Sequence, residues 1–291
     1  MIITRLRGGL GNQMFQYAAG RSLSLYHNTK LKLDINSLRN YPERAEGRFY
    51  REYGLGIFNI EESMASEREI RRLKSNLSRK GRLFNVFANK EIYFKEAQLN
   101  YNSGVFQKGT NLYIDGYWQT EKYFSSIKDV LKNDFTFKAP LSDLSQQLAV
   151  RILYSNSVCI HVRRGDYLTN PAHGFAGLEY YKKADEYIYQ HLKDPRYFVF
   201  SDDIEWCREN LKLSALATFV GPEYGGNKIS DDLQLMTLCR HFIISNSSFS
   251  WWAAWLCQDE NKMVVAPAKW YANEIMQNQS VDLCPESWIR I

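Results

Sequence analysis

The stretch SVCIHVRRGDY, residues 157–167, decides how this chain folds. Its first half is apolar and predicts a short buried strand, which Gly165 ends in a turn. Arg163 and Arg164 then lie at the carboxyl end of a strand, where open parallel α/β sheets bind their ligands. Because a guanidinium is planar and permanently charged, the pair predicts a site for an anion such as phosphate. The plainer interpretation is a solvated pair, or a turn in which Asp166 pairs with Arg164.

The rest of the second half alternates between strands and helices. Strands are predicted at residues 158–162, 197–201, 218–220, 241–245 and 263–266. One intervening helix carries apolar residues three and four positions apart, at Leu178, Tyr181, Ala184, Ile188 and Leu192. This alternation predicts a parallel sheet that is covered by helices on both faces.

The first half begins in the same way. A strand at residues 2–5 enters a glycine loop, a helix follows, and a second strand comes at residues 30–34, which is a βαβ start. Residues 112–119 predict a further strand that ends in an aromatic loop. Residues 36–110 show no regular pattern apart from one basic helix.

Residues 138–142, which include a proline, form the best candidate linker. We therefore predict two domains, residues 1–140 and residues 141–291, with the last helix able to pack back on the first. A length of 291 residues suits two domains of ordinary size. A content of 45% hydrophobic and 14% aromatic residues is enough for their cores.

Composition excludes several protein classes. A net charge of +5 is mild and does not imply a nucleic-acid partner, and we expect none. No apolar stretch approaches the ~20 residues of a membrane helix, and the first residues lack the layout of a signal peptide. The five cysteines are an odd number without a Cys-x-x-Cys pair, which favours a reducing compartment. We expect a cytoplasmic protein.

Basic residues cluster at residues 68–82, around apolar positions spaced as in an amphipathic helix. The members are Arg68, Arg71, Arg72, Lys74, Arg79, Lys80 and Arg82. One interpretation is a solvated helix face. The other is contact with an anionic surface at the inner face of the membrane, or with a lipid-linked pyrophosphate acceptor.

The glycine loop has three interpretations. It lacks the Gly-Lys-Ser/Thr of a phosphate-binding P-loop, which argues against nucleotide triphosphate hydrolysis. Gly9 and Gly11 with Asp34 imitate a dinucleotide fingerprint, but methionine stands at the third glycine position and the acid comes late. In the third interpretation, bare backbone at a helix start approaches an anion, and Asn12 and Gln13 add amide contacts.

A third motif, SNSSFSWWAA at residues 245–254, follows a predicted strand and opens a helix. Its hydroxyls and open N–H groups could cradle a phosphate, and a serine here could equally be an ordinary helix N-cap. Both roles are compatible. The tryptophans that follow are interpreted as core residues.

These three motifs, in this order and spanning residues 8–254, resemble the bacterial α-1,2-fucosyltransferases of glycosyltransferase family 11. The His-x-Arg-Arg core also recurs in the α-1,6- and protein O-fucosyltransferases. The resemblance implies an α/β fold of the GT-B type, with two Rossmann-like βαβ domains facing across a cleft. It implies that residues 1–140 form the acceptor-side domain and that residues 141–291 form the GDP-fucose-binding domain. It also implies inverting transfer of L-fucose from GDP-β-L-fucose to the 2-hydroxyl of a terminal β-galactoside, in O-antigen or oligosaccharide synthesis.

The resemblance assigns most of the polar motif residues to the nucleotide sugar. The implied contacts are Gly9, Gly11, Asn12, Gln13, His161, Arg163, Arg164, Ser201, Asp202, Asp232, Asn246, Ser247, Ser248 and Phe249. Among them, Asp232 with His161 would read guanine, since a carboxylate suits the N1–H and N2–H₂ donors. Asp231 is adjacent and could be the true match. Ser201, Asp202 and Asp203 come at the end of a strand, which makes them candidates to face the nucleotide, and helix capping is their plainer interpretation.

Arg163 is the main catalytic candidate, because negative charge builds on the departing diphosphate and a cation must meet it. Neither acidic pair, Asp202-Asp203 or Asp231-Asp232, is an Asp-x-Asp motif, so we expect no metal and no cofactor. Asp166 is the candidate general base for the acceptor hydroxyl. Its other interpretation is a structural partner of Arg164 in the turn.

Tyr117, Trp118 and Gln119 could bind the acceptor galactose, or form an ordinary buried aromatic loop. Two other functions stay open at this point. A non-catalytic glycan-binding protein would explain the aromatic residues but has no use for an arginine pair at a strand end. An NAD-dependent oxidoreductase would explain the glycine loop alone.

Overall fold

Two α/β units make up the computed structural model, which describes residues 1–39, 52–74, 92–165, 168, 174–224 and 229–291. The first unit comprises Met1–Thr136 and Val281–Leu283, and the second comprises Phe137–Ser280 and Cys284–Ile291. The chain therefore changes unit shortly before the predicted linker. A three-residue turn near the end of the chain, rather than a helix, returns to the first unit, where Asp282 accepts a hydrogen bond from the backbone N–H of Tyr101.

The first unit contains a four-stranded parallel sheet in the order β2-β1-β4-β3. Its strands are β1 (Ile2–Arg5), β2 (Leu31–Asp34), β3 (Tyr93–Lys95) and β4 (Leu112–Asp115). Its helices are α1 (Leu10–Tyr26), α2 (Asn36–Arg39), α3 (Glu67–Lys74) and α4 (Lys128–Asp134). The βαβ start is confirmed. Strand β3 was missed, because three residues are too few to show a period.

Helix α1 is buried on nearly all sides, which explains why its apolar residues do not form a single stripe. It begins after Gly8, whose φ of +78° falls in the left-handed region. A Cβ at Gly8 would also lie 2.7 Å from Nδ2 of Asn12. Glycine is therefore required where β1 turns into the helix.

The second unit contains a six-stranded parallel sheet in the order β10-β9-β8-β5-β6-β7. Its strands are β5 (Asn156–Val162), β6 (Pro195–Ser201), β7 (Ala217–Phe219), β8 (His241–Ile243), β9 (Val264–Ala266) and β10 (Ile289–Arg290). Its helices are α5 (Asp143–Leu153), α6 (Leu178–His191), α7 (Ile204–Asn210), α8 (Ile229–Thr237), α9 (Ser248–Leu256) and α10 (Glu274–Asn278). All five strands predicted in this half are confirmed, and β10 was missed.

Strand β5 lies at the centre of this sheet, and its apolar residues on one face are buried in the core. Val158, Ile160 and Val162 pack in one cluster with residues of α6, including Ala184 and Ile188. Three buried tryptophans of α9, Trp251, Trp252 and Trp255, pack edge to face or stacked against one another, as predicted for core residues. All five cysteines are buried and free.

The predicted basic helix is observed in part, as α3, and residues 75–82 lie outside the described residues. Its apolar side, Ile70 and Leu73, packs on Ile3 and Tyr113 in the core of the first unit. Among the described residues, no helix has both the length and the apolar character needed to span a membrane.

Candidate functional site

The order of the second sheet changes direction at β5. Strands β6 and β7 continue on one side, and β8, β9 and β10 continue on the other. This is a topological switch point, the place where open α/β sheets bind ligands beyond the carboxyl ends of their strands. Residues 163–165, which we call the arginine loop, leave the sheet there, flanked by the ends of β6 and β8.

The arginine loop is bound to the end of β6 by one carboxylate. Nη1 of Arg163 lies 3.2 Å from Oδ2 of Asp202. The backbone N–H groups of Arg164 and Gly165 donate to the same carboxylate, at 2.9 and 3.0 Å. Asp202, predicted to face the nucleotide, thus receives two backbone hydrogen bonds and one ion pair from the protein itself.

Arg164 is also engaged by the protein. Its guanidinium pairs with Asp203 and lies 4.5 Å from the centre of the Trp206 ring. Asp203 in turn caps α7 by accepting from the backbone N–H of Trp206, so the helix-capping interpretation is confirmed at this position. Ser201 accepts a hydrogen bond from the backbone N–H of Asp203 at 3.0 Å. Sequence reasoning missed Trp206, whose only signal was its position in the first turn after the acidic pair.

Among the described residues, Arg164 forms its ion pair with Asp203, and its pairing with Asp166 stays a prediction. Asp166 lies outside the described residues, so its role as general base stays a prediction.

His161 is buried at the end of β5, and its Nδ1 lies 2.9 Å from Oγ of Ser245 at the end of β8. Burial, with a smaller contribution from the charge of Arg163, lowers the pKa of His161 to about 3. The imidazole is therefore neutral near pH 7. Its ring lies 5.8 Å from that of Phe249, so two residues predicted at the nucleotide site are neighbours.

The loop after β8 contains four residues that were predicted to contact the nucleotide sugar, and they fall into two groups. Asn246 donates from Nδ2 to the backbone oxygens of Gly174 and Trp270, so its side-chain NH₂ group holds two loops together. The side chain of Ser247 accepts from the backbone N–H of Phe249 and caps α9, as the helix-capping interpretation predicted. Ser248 and Phe249 are half-buried in the first turn of that helix.

The two acids in the first turn of α8 differ in their surroundings. Oδ2 of Asp231 accepts from the hydroxyls of Ser142 and Ser145, at 2.7 and 2.9 Å, and fastens the start of α5. Asp231 is buried, whereas Asp232 is half-buried. The carboxylate of Asp231 therefore has a structural role, which leaves Asp232 as the candidate for guanine recognition.

In the first unit, Gly9 is the N-cap of α1, and Gly11 lies in its first turn. Gln13 is fully buried; its Nε2 donates to the backbone oxygens of Gly8 and Glu52, and its Oε1 accepts from the N–H of Gly54. The amide of Gln13 thus braces the glycine loop rather than presenting itself to a ligand.

The predicted acceptor residues prove to be largely structural. Trp118 is fully buried and packs edge to face on Tyr123, so its ring offers no face to a sugar. Nε2 of Gln119 donates to Oδ1 of Asn12 at 2.7 Å. Tyr117 is half-buried, with the guanidinium of Arg7 at 4.3 Å from its ring centre.

Sequence reasoning missed a charged cluster at the carboxyl edge of the first sheet. Asp115, at the end of β4, accepts from Nη1 of Arg5 at 3.1 Å and from the hydroxyl of Tyr93 at 2.9 Å. Nη1 of Arg7 lies 3.5 Å from the same carboxylate. The signal was available, because charged residues end two strands that were both predicted.

The chain is similar to known proteins along its whole length. The family model described as Glycosyl transferase family 11 matches residues 1–291. The chain is 34% identical to an Alpha-1,2-colitosyltransferase of Escherichia coli, over 100% of this chain and 99% of that protein. It is 31% identical to the O-antigen biosynthesis glycosyltransferase WbnK of Escherichia coli, over 98% and 99%. Galactoside alpha-(1,2)-fucosyltransferase 1 of Bos taurus is 31% identical over 50% of this chain and 43% of its own.

Among solved structures, Arabidopsis thaliana FUT1 in complex with GDP has a TM-score of 0.51 and 11% identity, covering 99% of this chain and 75% of that one. At this identity the likeness shows the fold alone. With the two parallel sheets of the chain, it confirms the predicted α/β, GT-B-like class.

Proposed function

We propose that this chain, which belongs to glycosyltransferase family 11, transfers L-fucose from GDP-β-L-fucose to the 2-hydroxyl of a terminal β-galactoside, with inversion. Its relatives in O-antigen synthesis support a bacterial glycan as the acceptor. Because the chain belongs to a glycosyltransferase family, we set aside the two other functions considered from the sequence, a glycan-binding protein and an oxidoreductase. A second candidate donor is GDP-colitose, because a colitosyltransferase is 34% identical over the full length.

The observation that carries this proposal is the arginine loop at the switch point of the second sheet. As the glycosidic bond breaks, its electron pair leaves with the diphosphate, which gains one negative charge. Arg163, only 25% exposed, provides a preorganised cation for that charge, and such a group acts more strongly where water is excluded. Arg164 is held on Asp203 and Trp206, so we assign the diphosphate to Arg163 first.

Guanine recognition falls to His161 and Asp232 in this proposal. The neutral imidazole of His161 has two distinct nitrogens, one of which is next to Ser245. A hydrogen-bonding but uncharged ring suits a base edge better than an imidazolium would. The carboxylate of Asp232 would accept from the paired N–H donors of guanine.

We propose that transfer needs neither metal nor cofactor. Three carboxylates of the two acidic pairs already have partners in the protein. Asp202 and Asp203 pair with arginines, and Asp231 accepts from serine hydroxyls. Charge stabilisation by Arg163 is then the simpler chemistry.

For the cellular setting we propose a cytoplasmic enzyme at the inner face of the membrane, next to its growing glycan. Ile70 and Leu73 of α3 are buried in the core of the first unit, so they cannot insert into lipid. Any membrane contact by this helix would use its exposed basic residues, such as Arg68 and Arg71, and would be electrostatic.

The test is to incubate the purified protein with GDP-fucose, GDP-colitose and a UDP-sugar control, each with a panel of β-galactosides. Mass spectrometry would give the added sugar, and NMR of the product would give the linkage and the anomeric configuration. We expect an α-1,2-linked deoxysugar from a GDP donor only. Transfer from the UDP-sugar, or a product linked at another hydroxyl, would refute the proposal.

A further inference from the structure

We infer that Asp202 is a positioning residue: its carboxylate shapes the arginine loop for the donor diphosphate and does not itself contact the nucleotide. The inference rests on the proposed function, because it assumes that the loop binds a diphosphate. Neither the family match nor the relatives assign a role to this residue.

The first argument is the set of donors around the carboxylate. Asp202 receives the backbone N–H groups of Arg164 and Gly165 and the guanidinium of Arg163, at 2.9 to 3.2 Å. Two successive N–H groups and a cation are the donors that an anion-binding loop usually offers to phosphate. Here they already hold an anion of the protein, which fixes their directions before any ligand arrives.

The second argument is Gly165. A Cβ at this position would lie 2.7 Å from Oδ2 of Asp202, closer than real Cβ contacts come. Gly165 does not have a positive φ, so close approach is the reason for the glycine here. Gly165 and Asp202 are therefore a matched pair, one residue making room for the other.

The third argument is sheet register. Val162 pairs with Ser201 where β5 and β6 end side by side. The next two positions on each strand then face one another, and they carry Arg163 with Asp202 and Arg164 with Asp203. The second pair is fastened to α7 through Trp206, so the loop is anchored at both of its arginines.

A rival interpretation is that the carboxylate only fills the anion site until the diphosphate displaces it. The two interpretations predict opposite signs for the loss of Asp202. If Asp202 positions the loop, removing its charge weakens GDP binding, because Arg163 must then be immobilised by the ligand. If Asp202 competes with the ligand, the same change tightens GDP binding.

The experiment measures GDP affinity by calorimetry, together with kcat and KM, for Asp202→Asn in the wild-type and Arg163→Ala backgrounds. We expect GDP to bind roughly ten-fold more weakly to Asp202→Asn, the scale of restraining one long side chain. In the Arg163→Ala background the same change should cost less than about two-fold, because a positioning residue acts through its partner. Tighter or unchanged GDP binding by Asp202→Asn would overturn the inference.

Gly165→Ala provides a second variant, which we expect to reproduce the loss and to add nothing to it when combined with Asp202→Asn. Additive losses would show that Gly165 serves the phosphate directly and would overturn the pairing. Glu205→Gln is the control for charge, because Glu205 is exposed and pairs with Arg208 rather than with the loop; an equal loss there would replace the specific role with a general field effect. If the wild type itself bound no GDP, both the proposed GDP-sugar donor and this inference would be refuted. The other outcomes test the role of Asp202 alone.

Discussion

Replacing Arg163 by alanine tests the proposed chemistry at its centre. The side chain is about three-quarters buried, and its ion pair with Asp202 spans 3.2 Å. Removing a preorganised donor that faces developing charge costs about 10²–10³-fold in kcat, or ~2.7–4 kcal/mol. Stability should change far less, because a partly exposed ion pair contributes at most about 1 kcal/mol. We therefore expect a folded protein that has lost nearly all transfer activity.

The assay follows GDP release and product mass at saturating donor, with GDP affinity and thermal melting measured on the same preparations. Arg163→Lys is the matched control. It keeps the charge but loses the planar guanidinium, so its activity should lie between those of the wild type and Arg163→Ala. Turnover of Arg163→Ala within about three-fold of the wild type would refute the role, since one lost transition-state cation is expected to cost at least about 10². A collapse of the melting transition would instead show that Arg163 is a structural residue.

Four further outcomes are expected. Activity should survive EDTA, and a loss that Mn²⁺ restores would mean that acidic residues hold a metal. Asp166→Asn should lower kcat by about 10²–10⁴-fold with little change in GDP affinity if it is the general base; a parallel fall in GDP affinity would make it a scaffold residue. Asp231→Ala should destabilise the fold by about 1–3 kcal/mol, because it removes a buried acceptor that binds the hydroxyls of Ser142 and Ser145, whereas Asp232→Ala should weaken GDP binding at nearly unchanged stability; the reverse pattern would exchange their roles. The pKa of His161 lies below its unfolded value, so its contribution to stability is lost as pH falls from 6.5 towards 3. Between pH 6.5 and 5 the wild type should lose ~2 kcal/mol more than His161→Asn in chemical denaturation, and equal losses would contradict burial of a neutral ring.

Much of the second unit could be predicted because its strands are buried on both faces. Continuous apolar runs such as residues 158–162 stand out against the helices between them, and the turn at Gly165 marks where the strand ends. The rule that ligands lie at carboxyl ends then placed the arginine pair at the correct edge of the sheet. The short strands β3 and β10 carry too few residues for the same argument.

The partners of the arginines could not be predicted, because they depend on strand register. Asp202 lies 39 positions beyond Arg163 in sequence, and only the pairing of Val162 with Ser201 brings the two strand ends together. The burial of Trp118 was equally hidden, since an aromatic residue after a strand can face a ligand or the core. Its environment is decided by Tyr123, which follows it in the chain, and by Phe94 of β3, which precedes it.

Three of the residues predicted to bind a ligand have one structural property in common. Gln13, Asn246 and Asp202 each satisfy backbone N–H or C=O groups of the loops that end the strands. A loop that turns its backbone towards an anion gives up the hydrogen bonds of regular structure, and buried backbone groups must find other partners. Polar side chains beside such a loop are therefore needed first for the loop itself. In a sequence motif, these supporting residues and the ligand-binding residues are all polar and stand next to one another. Only the hydrogen bonds of the folded chain distinguish the two kinds.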